Sequence, residues 1–494
     1  MAKSKNRSKI FLLILLSFSV LVLCSAVWYI KIFGRTGFDS VVFTLIAGTE
    51  GSNPVFFKLY FLYAFLPAAL ISAVLVISAV LIKTKQRLIK AVSLILSIVM
   101  LISACTYAGL SGFIADRLSY SGIYETEFVS TDINNITFPK TKKNLIHIFL
   151  ESMETTFASL SQGGALETGD IDELYEQALK NINFSDNPGF GGGYAMPGCT
   201  WTTAALTAYT SGAQMKIGIN NSVDFSAPLE NTLTINDILK ENGYSQSVMV
   251  GSPMEYGLRQ KLFETHGVHE FYDYDTALKD GIIEKGYKVN WGFEDSKLFE
   301  YAKEVLLKKS KENAPFAFYM LTSDTHHRDG YLCSECENDG KEKYDTVLKC
   351  SSRQVNKFIE WIKEQDFYKD TVIVTTGDHT SMANEYIERN VDKDYSRRVY
   401  NCIINSDKEK TNIKNRTFTT LDMYPTVLSA LGCEIKGARL GLGTDLFSGE
   451  KTLAEKYGIK KLSIELSKNS RYYKKFYLCP QTDSVWGHNI IPGR

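Results

Sequence analysis

The sequence has no surplus of either charge: Lys and Arg number 55 and Asp and Glu number 55, so the formal net charge is zero. That balance gives no reason to expect nucleic acid as a partner, which is held through an excess of cations. It also has no internal repeat and no low-complexity tract, so a solenoid or a largely disordered chain is excluded. Charge is missing altogether from three stretches, residues 10–30, 59–82 and 91–114. Each exceeds the ~18 residues that mark a candidate transmembrane helix. Buried core helices are the alternative, but three such runs in succession favour membrane spans. Pro67, inside the second, is tolerated in a membrane helix. The first stretch has no clear A-x-A site, which disfavours a cleaved signal peptide over residues 1–30.

The flanks of these stretches are basic. Lys3, Lys5, Arg7 and Lys9 precede the first, and Lys83, Lys85, Arg87 and Lys90 separate the second from the third. Positive flanks stay cytoplasmic, so everything after Phe113 is expected outside. The expected division is a membrane domain over 1–114, a juxtamembrane connector over 115–142, and an extracytoplasmic domain over 143–494. Its length suffices for a large α/β core. Of nine cysteines, Cys24 and Cys105 fall in the spans, while Cys402, Cys433 and Cys479 have no assignable partner. Cys333, Cys336 and Cys350 cluster in a polar region. A disulfide from Cys350 to one of the other two is expected outside the cell. The rival reading, half of a zinc site, lacks a second C-x-x-C.

After residue 142, short branched apolar runs alternate with helical patterns. Strands are expected at 144–150, 247–251, 316–322 and 371–376. Helices are expected at 170–182, 231–241, 295–309, 351–363 and 419–431. This alternation predicts a mainly parallel central sheet sandwiched by helices. Ligands in such sheets sit beyond the carboxyl ends of the strands. Glu151, His326, His327, Asp378 and His379 all fall at such ends. Carboxylates, an imidazole and a Thr oxygen suit a divalent ion such as Mn²⁺, Mg²⁺ or Zn²⁺.

One further stretch belongs with them: Met196-Pro-Gly-Cys-Thr-Trp-Thr-Thr-Ala-Ala-Leu206, approached through Gly189–Gly193. It reads as a loop feeding a helix that ends near Gly212, with hydroxyls at the helix N-terminus. An anion such as phosphate is favoured there. A Thr beside a metal could act as a nucleophile; the alternative is a capping Thr before a core helix.

These motifs resemble the alkaline phosphatase–sulfatase superfamily. They are most similar to membrane phosphoglycerol transferases, both those acting on osmoregulated periplasmic glucans and the lipoteichoic acid synthase group. The resemblance covers roughly residues 115–450. It rests on Lys143-Asn-Leu-Ile-His-Ile-Phe-Leu-Glu-Ser152, Met196-Pro-Gly-Cys-Thr-Trp-Thr202, Asp324-Thr-His-His-Arg-Asp-Gly330, Gly377-Asp-His379 and Leu440-Gly-Leu-Gly443. It implies Glu151, Thr202, Asp378 and His379 as ligands of one divalent metal ion, with Mn²⁺ first and Mg²⁺ or Zn²⁺ as alternatives. A P-G-x-x-W-T pattern selects Thr202 as nucleophile, and a G-x-T pattern selects Thr200 instead. Thr203 is expected to cap the helix. His326 is implied as the substrate-phosphate histidine, with His327 its neighbour or structural, and Arg259 as a phosphate clamp. Trp291 and Asp295 are expected to line a glycerol pocket. Arg328 stands where the family usually has Pro. It is expected to contact phosphate or acceptor, or to face solvent. Three spans are fewer than lipoteichoic acid synthases typically have, which leans the reading toward the glucan-type or a wall-polysaccharide-modifying branch.

The implied reaction passes phosphoglycerol from phosphatidylglycerol, through a threonine intermediate, to a glycan or polyol-phosphate acceptor, and releases diacylglycerol. A phosphoethanolamine transferase is the first alternative. A sulfatase would need a Cys or Ser precursor in a C-x-P-S-R context, which Trp201-Thr-Thr-Ala-Ala205 is not; a phosphodiesterase or phosphatase belongs to the same alternative. A non-catalytic membrane sensor would be expected to have lost a ligand, and none is missing.

Overall fold

The computed structural model of the 494-residue chain describes residues 2–34, 37–47, 55–82, 84–217 and 227–477; Lys83 and Cys479 lie outside the described residues. Three helices are long and apolar enough to cross a membrane: Arg7–Phe33, Val55–Leu81 and Gln86–Tyr107. Their outward side chains include Ile14, Val74 and Leu81, all more than 60% exposed, which lipid accommodates and water does not. The chain is a multi-pass membrane protein. The third helix stops at Tyr107 rather than at 114. Gly109 takes a φ of +79°, and a separate helix, Leu110–Leu118, starts after it.

The rest is built on a six-stranded sheet. Its strands are β1 (Asn144–Leu150), β2 (Ser245–Val250), β3 (Glu270–Tyr272), β4 (Phe316–Leu321), β5 (Thr371–Gly377) and β6 (Asn401–Ile404), in the order β3-β2-β4-β1-β5-β6. Every pair is parallel except β5–β6. Central β1 is matched at Leu145 with Ala317 on one side and Val372 on the other. Its apolar run is continuous because both faces are covered. Ile146, Ile148 and Leu150 join the core beneath helices Asp295–Lys309 and Lys343–Lys363; Leu145 and Phe149 join the core beneath Thr202–Ser211, Ile235–Glu241 and Met423–Ala430. Each such side chain, fully buried, contributes roughly 1.5–3 kcal/mol relative to exposure. The expected fold class is therefore the observed one.

Several boundaries differ from expectation for local reasons. The helix expected at 351 begins at Lys343, where Glu342 and Asp345 form a capping box. The helix expected at 231 begins at Ile235, capped by Thr234 with Asp237. Strands β3 and β6 went unanticipated because three and four residues are too few to carry a period. The expected disulfide is absent: Cys333, Cys336 and Cys350 converge as free thiols.

Within residues 115–142 several groups pack against the body. Tyr124 is fully buried in a cluster with Met196, Leu442, Leu466 and Tyr473. Ile136–Thr137 pairs antiparallel with Glu434–Ile435. The membrane segments are tied to this body by Arg117. Its guanidinium pairs with Asp39, on the short helix Phe38–Ala47 that follows the first span, and donates to the carbonyls of Ile217 and Ser467. Burial pushes the Asp39 carboxyl up, against the pull of Arg117. Removing one partner of a buried pair leaves the other uncompensated. Arg117→Ala is expected to destabilise the protein by about 3–5 kcal/mol, seen as a lower unfolding temperature in detergent. The paired change Asp39→Ala with Arg117→Met is expected to recover most of that loss. Equal unfolding temperatures for wild type and Arg117→Ala would show that the pair does not anchor the segment.

Candidate active site

Three parallel strands end side by side and hand their next residues to one place. β1 is followed by Glu151 and Ser152, β5 by Asp378 and His379, and β4 by the segment from Thr322 to His327. Glu151, Asp378 and His379 are buried, and each offers a ligand atom within 4.8 Å of the other two.

Local geometry aims these groups. Ser152 has a φ of +56°, a left-handed turn for a non-glycine residue, and is fully buried. In that turn its N–H donates to Asp378 Oδ1 at 2.8 Å and its hydroxyl to Glu151 Oε1 at 2.6 Å. The His379 N–H also donates to Asp378 Oδ1, at 2.7 Å. Asp378 Oδ2 is left buried without a hydrogen-bond partner, 3.3 Å from His379 Nε2. His379 Nδ1 is engaged by the Thr380 carbonyl at 3.0 Å, so Nε2 is the nitrogen that faces the cluster. Gly377 is required where β5 ends, because a Cβ there would sit 1.8 Å from the Met153 carbonyl oxygen.

The helix Thr202–Ser211 points its N-terminus at the same spot. Thr202 Oγ1 lies 3.3 Å from Glu151 Oε2 and 3.5 Å from His379 Nε2. Small Ala and Thr side chains let this helix be buried along nearly its whole length. Its inner hydroxyls are satisfied by the helix itself: Thr207 donates to the Thr203 carbonyl, and Thr210 to the Leu206 carbonyl. Thr203 does not cap the helix. Its hydroxyl donates to the Gly257 carbonyl at 2.6 Å, in the loop that carries Arg259. Thr200 is not among the residues lining the cavity described below.

Burial and charge set the protonation preferences. Burial, and then the charge of Glu151, push the Asp378 carboxyl up to about 7. Burial also raises Glu151, but His326, His379 and the Ser152 hydroxyl outweigh it and hold that carboxyl low. Burial lowers His379, but the two carboxylates outweigh it and its pKa ends above the ordinary value. His326 and His327 are both pushed down, chiefly by burial.

Glu151, Thr202, His326, His327 and His379 form the floor of a cavity of about 540 Å³ that also takes in Arg259 and Trp291; Asp378 is not among its lining residues. Arg259 is buried and fixed by bonds from Nε to the Tyr256 carbonyl and from Nη2 to Ser252 and the Pro253 carbonyl, which leave Nη1. Burial lowers it to about 10. Trp291 lies against His326, ring centres 4.6 Å apart. The roof comes from the membrane segments: Trp28 and Phe33 at the end of the first span, Phe43 on the short helix, and Phe56 and Tyr60 entering the second span. Phe33 and Phe56 both pack on the His327 ring, at 5.2 and 5.6 Å.

One expectation about the cavity is corrected. Asp295 does not line this cavity; its carboxylate accepts from the N–H groups of Ser323 and Asp324 and so holds the loop that leads to His326. Arg328 does not line the cavity either; it is partly exposed to solvent, as one of its two expected roles had it, and pairs there with Glu385 at 3.2 Å. Sequence reasoning missed Ser152, and it missed Glu154, which is fully buried and bonded to Arg397, Thr156 and the Ser381 N–H. The repeated carboxylate in Glu151-Ser-Met-Glu154 was the available signal.

A turn of this kind tolerates glycine and rejects β-branching. Ser152→Gly is expected to unfold within about 1 kcal/mol of wild type, and Ser152→Val to lose about 2 kcal/mol or more, measured by thermal melts. Equal stability of the two variants would remove the left-handed turn as the organiser of this strand end.

The sulfatase family profile matches residues 143–433. Phosphoglycerol transferase I from Escherichia coli is 27% identical over 373 residues, which cover 71% of this chain and 46% of that protein. The chain thus spans about half the length of the curated relatives it matches. Among solved structures, the lipoteichoic acid synthase LtaP from Listeria monocytogenes aligns with a TM-score of 0.50 and 17% identity, covering 64% of this chain and 80% of that one. The integral membrane lipooligosaccharide phosphoethanolamine transferase A from Neisseria meningitidis aligns with a TM-score of 0.52 and 12% identity, covering 85% of this chain and 84% of that one. At such identities these two structures speak to the fold alone.

Proposed function

The chain belongs to the sulfatase family, and on that premise we propose that it transfers phosphoglycerol from phosphatidylglycerol to a glycan or teichoic-acid-type acceptor, releasing diacylglycerol. One observation carries this reading: the polar cluster and the ends of two membrane spans line the same cavity. A lipid headgroup can then reach the cluster while its acyl chains stay against Trp28, Phe33 and Phe56. The similarity to phosphoglycerol transferase I supports phosphoglycerol as the group transferred.

The donor set fits a divalent cation. Two carboxylates and an imidazole nitrogen are gathered in a buried site, and Asp378 Oδ2 lacks a hydrogen-bond partner there. Glu151, Asp378, His379 and Thr202 would hold the ion, Mn²⁺ in this proposal and Mg²⁺ or Zn²⁺ as alternatives. When bound, it supplies positive charge that lowers the pKa of a nearby hydroxyl and offsets charge on phosphoryl oxygens.

The chain's own residues do the rest. Thr202, rather than Thr200, is the nucleophile, because its Oγ1 faces Glu151 and His379 at the head of a helix. Its Oγ1 loses its proton and bonds to phosphorus as the P–O bond to diacylglycerol breaks and that oxygen takes up a proton, giving phosphoglycerol-threonine. An acceptor hydroxyl then displaces Thr202. The free Nη1 of Arg259, and His326, with Nδ1 engaged by the His327 carbonyl, face the phosphoryl oxygens. Trp291 contributes one wall of the headgroup site.

Orientation follows from charge. Lys3 and Lys5 precede the first span and Arg7 and Lys9 lie in its first turn, whereas the cavity lies at its far end. Basic flanks stay cytoplasmic, which places the 143–494 domain outside, with the connector over 115–142 folded onto it.

The test incubates purified protein with labelled phosphatidylglycerol and Mn²⁺. Wild type and Thr200→Ala are expected to release diacylglycerol, and Thr202→Ala to lose at least about 10³-fold in rate. A chelator is expected to stop release and Mn²⁺ to restore it. Release that survives in Thr202→Ala but vanishes in Thr200→Ala would reverse the choice of nucleophile. Release from phosphatidylethanolamine alone would replace the donor.

A further inference from the structure

A second cluster lies apart from this cavity. Cys333 Sγ is 3.7 Å from both Cys336 Sγ and Cys350 Sγ, and the three sulfurs all lie within 4.8 Å of one another. These separations are far too long for a disulfide, whose sulfurs are about 2.05 Å apart. They match the edge of a coordination tetrahedron: thiolates bound to zinc at about 2.3 Å stand about 3.8 Å from one another. The surroundings suit thiolates. The Gln354 side-chain amide donates to Cys350 Sγ at 3.1 Å and to Cys333 Sγ at 3.4 Å, and N–H groups aimed at sulfur stabilise its anionic form. Cys333 and Cys350 are buried, while Cys336 is partly exposed.

We propose that Cys333, Cys336 and Cys350 form a structural metal site for one soft cation, zinc by its chemistry, separate from the site at Glu151, Asp378 and His379. Each thiol that ligates gives up its proton. The exposed side at Cys336 leaves the fourth position to water. Cys333 and Cys336 lie in the segment that continues from His326 and His327, and Cys350 lies on the helix Lys343–Lys363. The ion therefore staples the histidine segment to a core helix.

The test uses the full chain purified in detergent without reductant. All nine cysteines are expected to alkylate in denaturant with chelator. Seven adducts, the mark of one disulfide, would overturn the proposal. Stripped protein titrated with Co²⁺ is expected to develop a thiolate-to-cobalt charge-transfer band that Zn²⁺ abolishes. The acidic site holds no sulfur, so it cannot produce this band. Cys336→Ser is expected to weaken cobalt binding at least about 10-fold, and Cys433→Ser, remote from the cluster, to leave it unchanged. A folded wild-type protein with no such band refutes the site. If Cys336→Ser fails to fold, alkylation and the wild-type titration decide alone.

Discussion

Two carboxylates buried side by side are the constraint on which this structure turns. Glu151 and Asp378 lie in a buried site with ligand atoms within 4.8 Å. At about that separation, like charges repel by roughly 4 kcal/mol, even with an effective interior dielectric constant near 20. The protein offsets only part of this. Asp378 Oδ1 takes two backbone N–H bonds, while Oδ2 takes none. His379 leans toward its charged form in response. A site built at such electrostatic cost is better suited to a cation than to a resting ion pair, because one imidazolium cannot neutralise two carboxylates.

The sheet makes this juxtaposition repeatable. Parallel strands end on the same side, so β1 and β5, adjacent and in register, must deliver Glu151 and Asp378 together. A left-handed turn at Ser152 then uses one residue to orient both carboxylates. The Thr202 helix carries mostly small side chains, and its N-terminus brings Thr202 Oγ1 to 3.3 Å from Glu151 Oε2. Remote polar groups add stiffness. Asp295, expected in the pocket, instead pins the backbone of Ser323 and Asp324.

The parts legible in the sequence were those carried by backbone periodicity. Continuous apolar runs marked the strands, and the residues after them, Glu151, Asp378 and His379, followed by topology alone. What stayed hidden depended on side chains meeting across long sequence distances. Nothing near Asp295 says that its acceptors face backbone rather than cavity. Thr203 looked like a cap because capping is the commonest use of a Thr at a helix start. Its partner Gly257 lies more than fifty residues away. Arg328 likewise took its meaning from Glu385, on a helix too short to foresee. Cys333, Cys336 and Cys350 favoured a disulfide in the sequence, which shows neither the separation of their sulfurs nor Gln354 beside them.

The least foreseeable feature is the roof. A hydropathy pattern marks a span but does not say what its end will touch. Here the ends of two spans close over the cavity, and the loop helix between them is locked to the body by Asp39 and Arg117. His327 sits at the seam, covered by Phe33 and Phe56, with its Nε2 buried and unpartnered. Its uncharged form is favoured by that burial, so the seam can be apolar on both sides. The membrane segments are thus part of the cavity wall and not only an anchor. A soluble fragment lacking them would keep the floor of polar ligands but lose the apolar wall. In the proposed reaction the floor binds the phosphoryl group, and the wall is what distinguishes a lipid-borne phosphodiester from a free one.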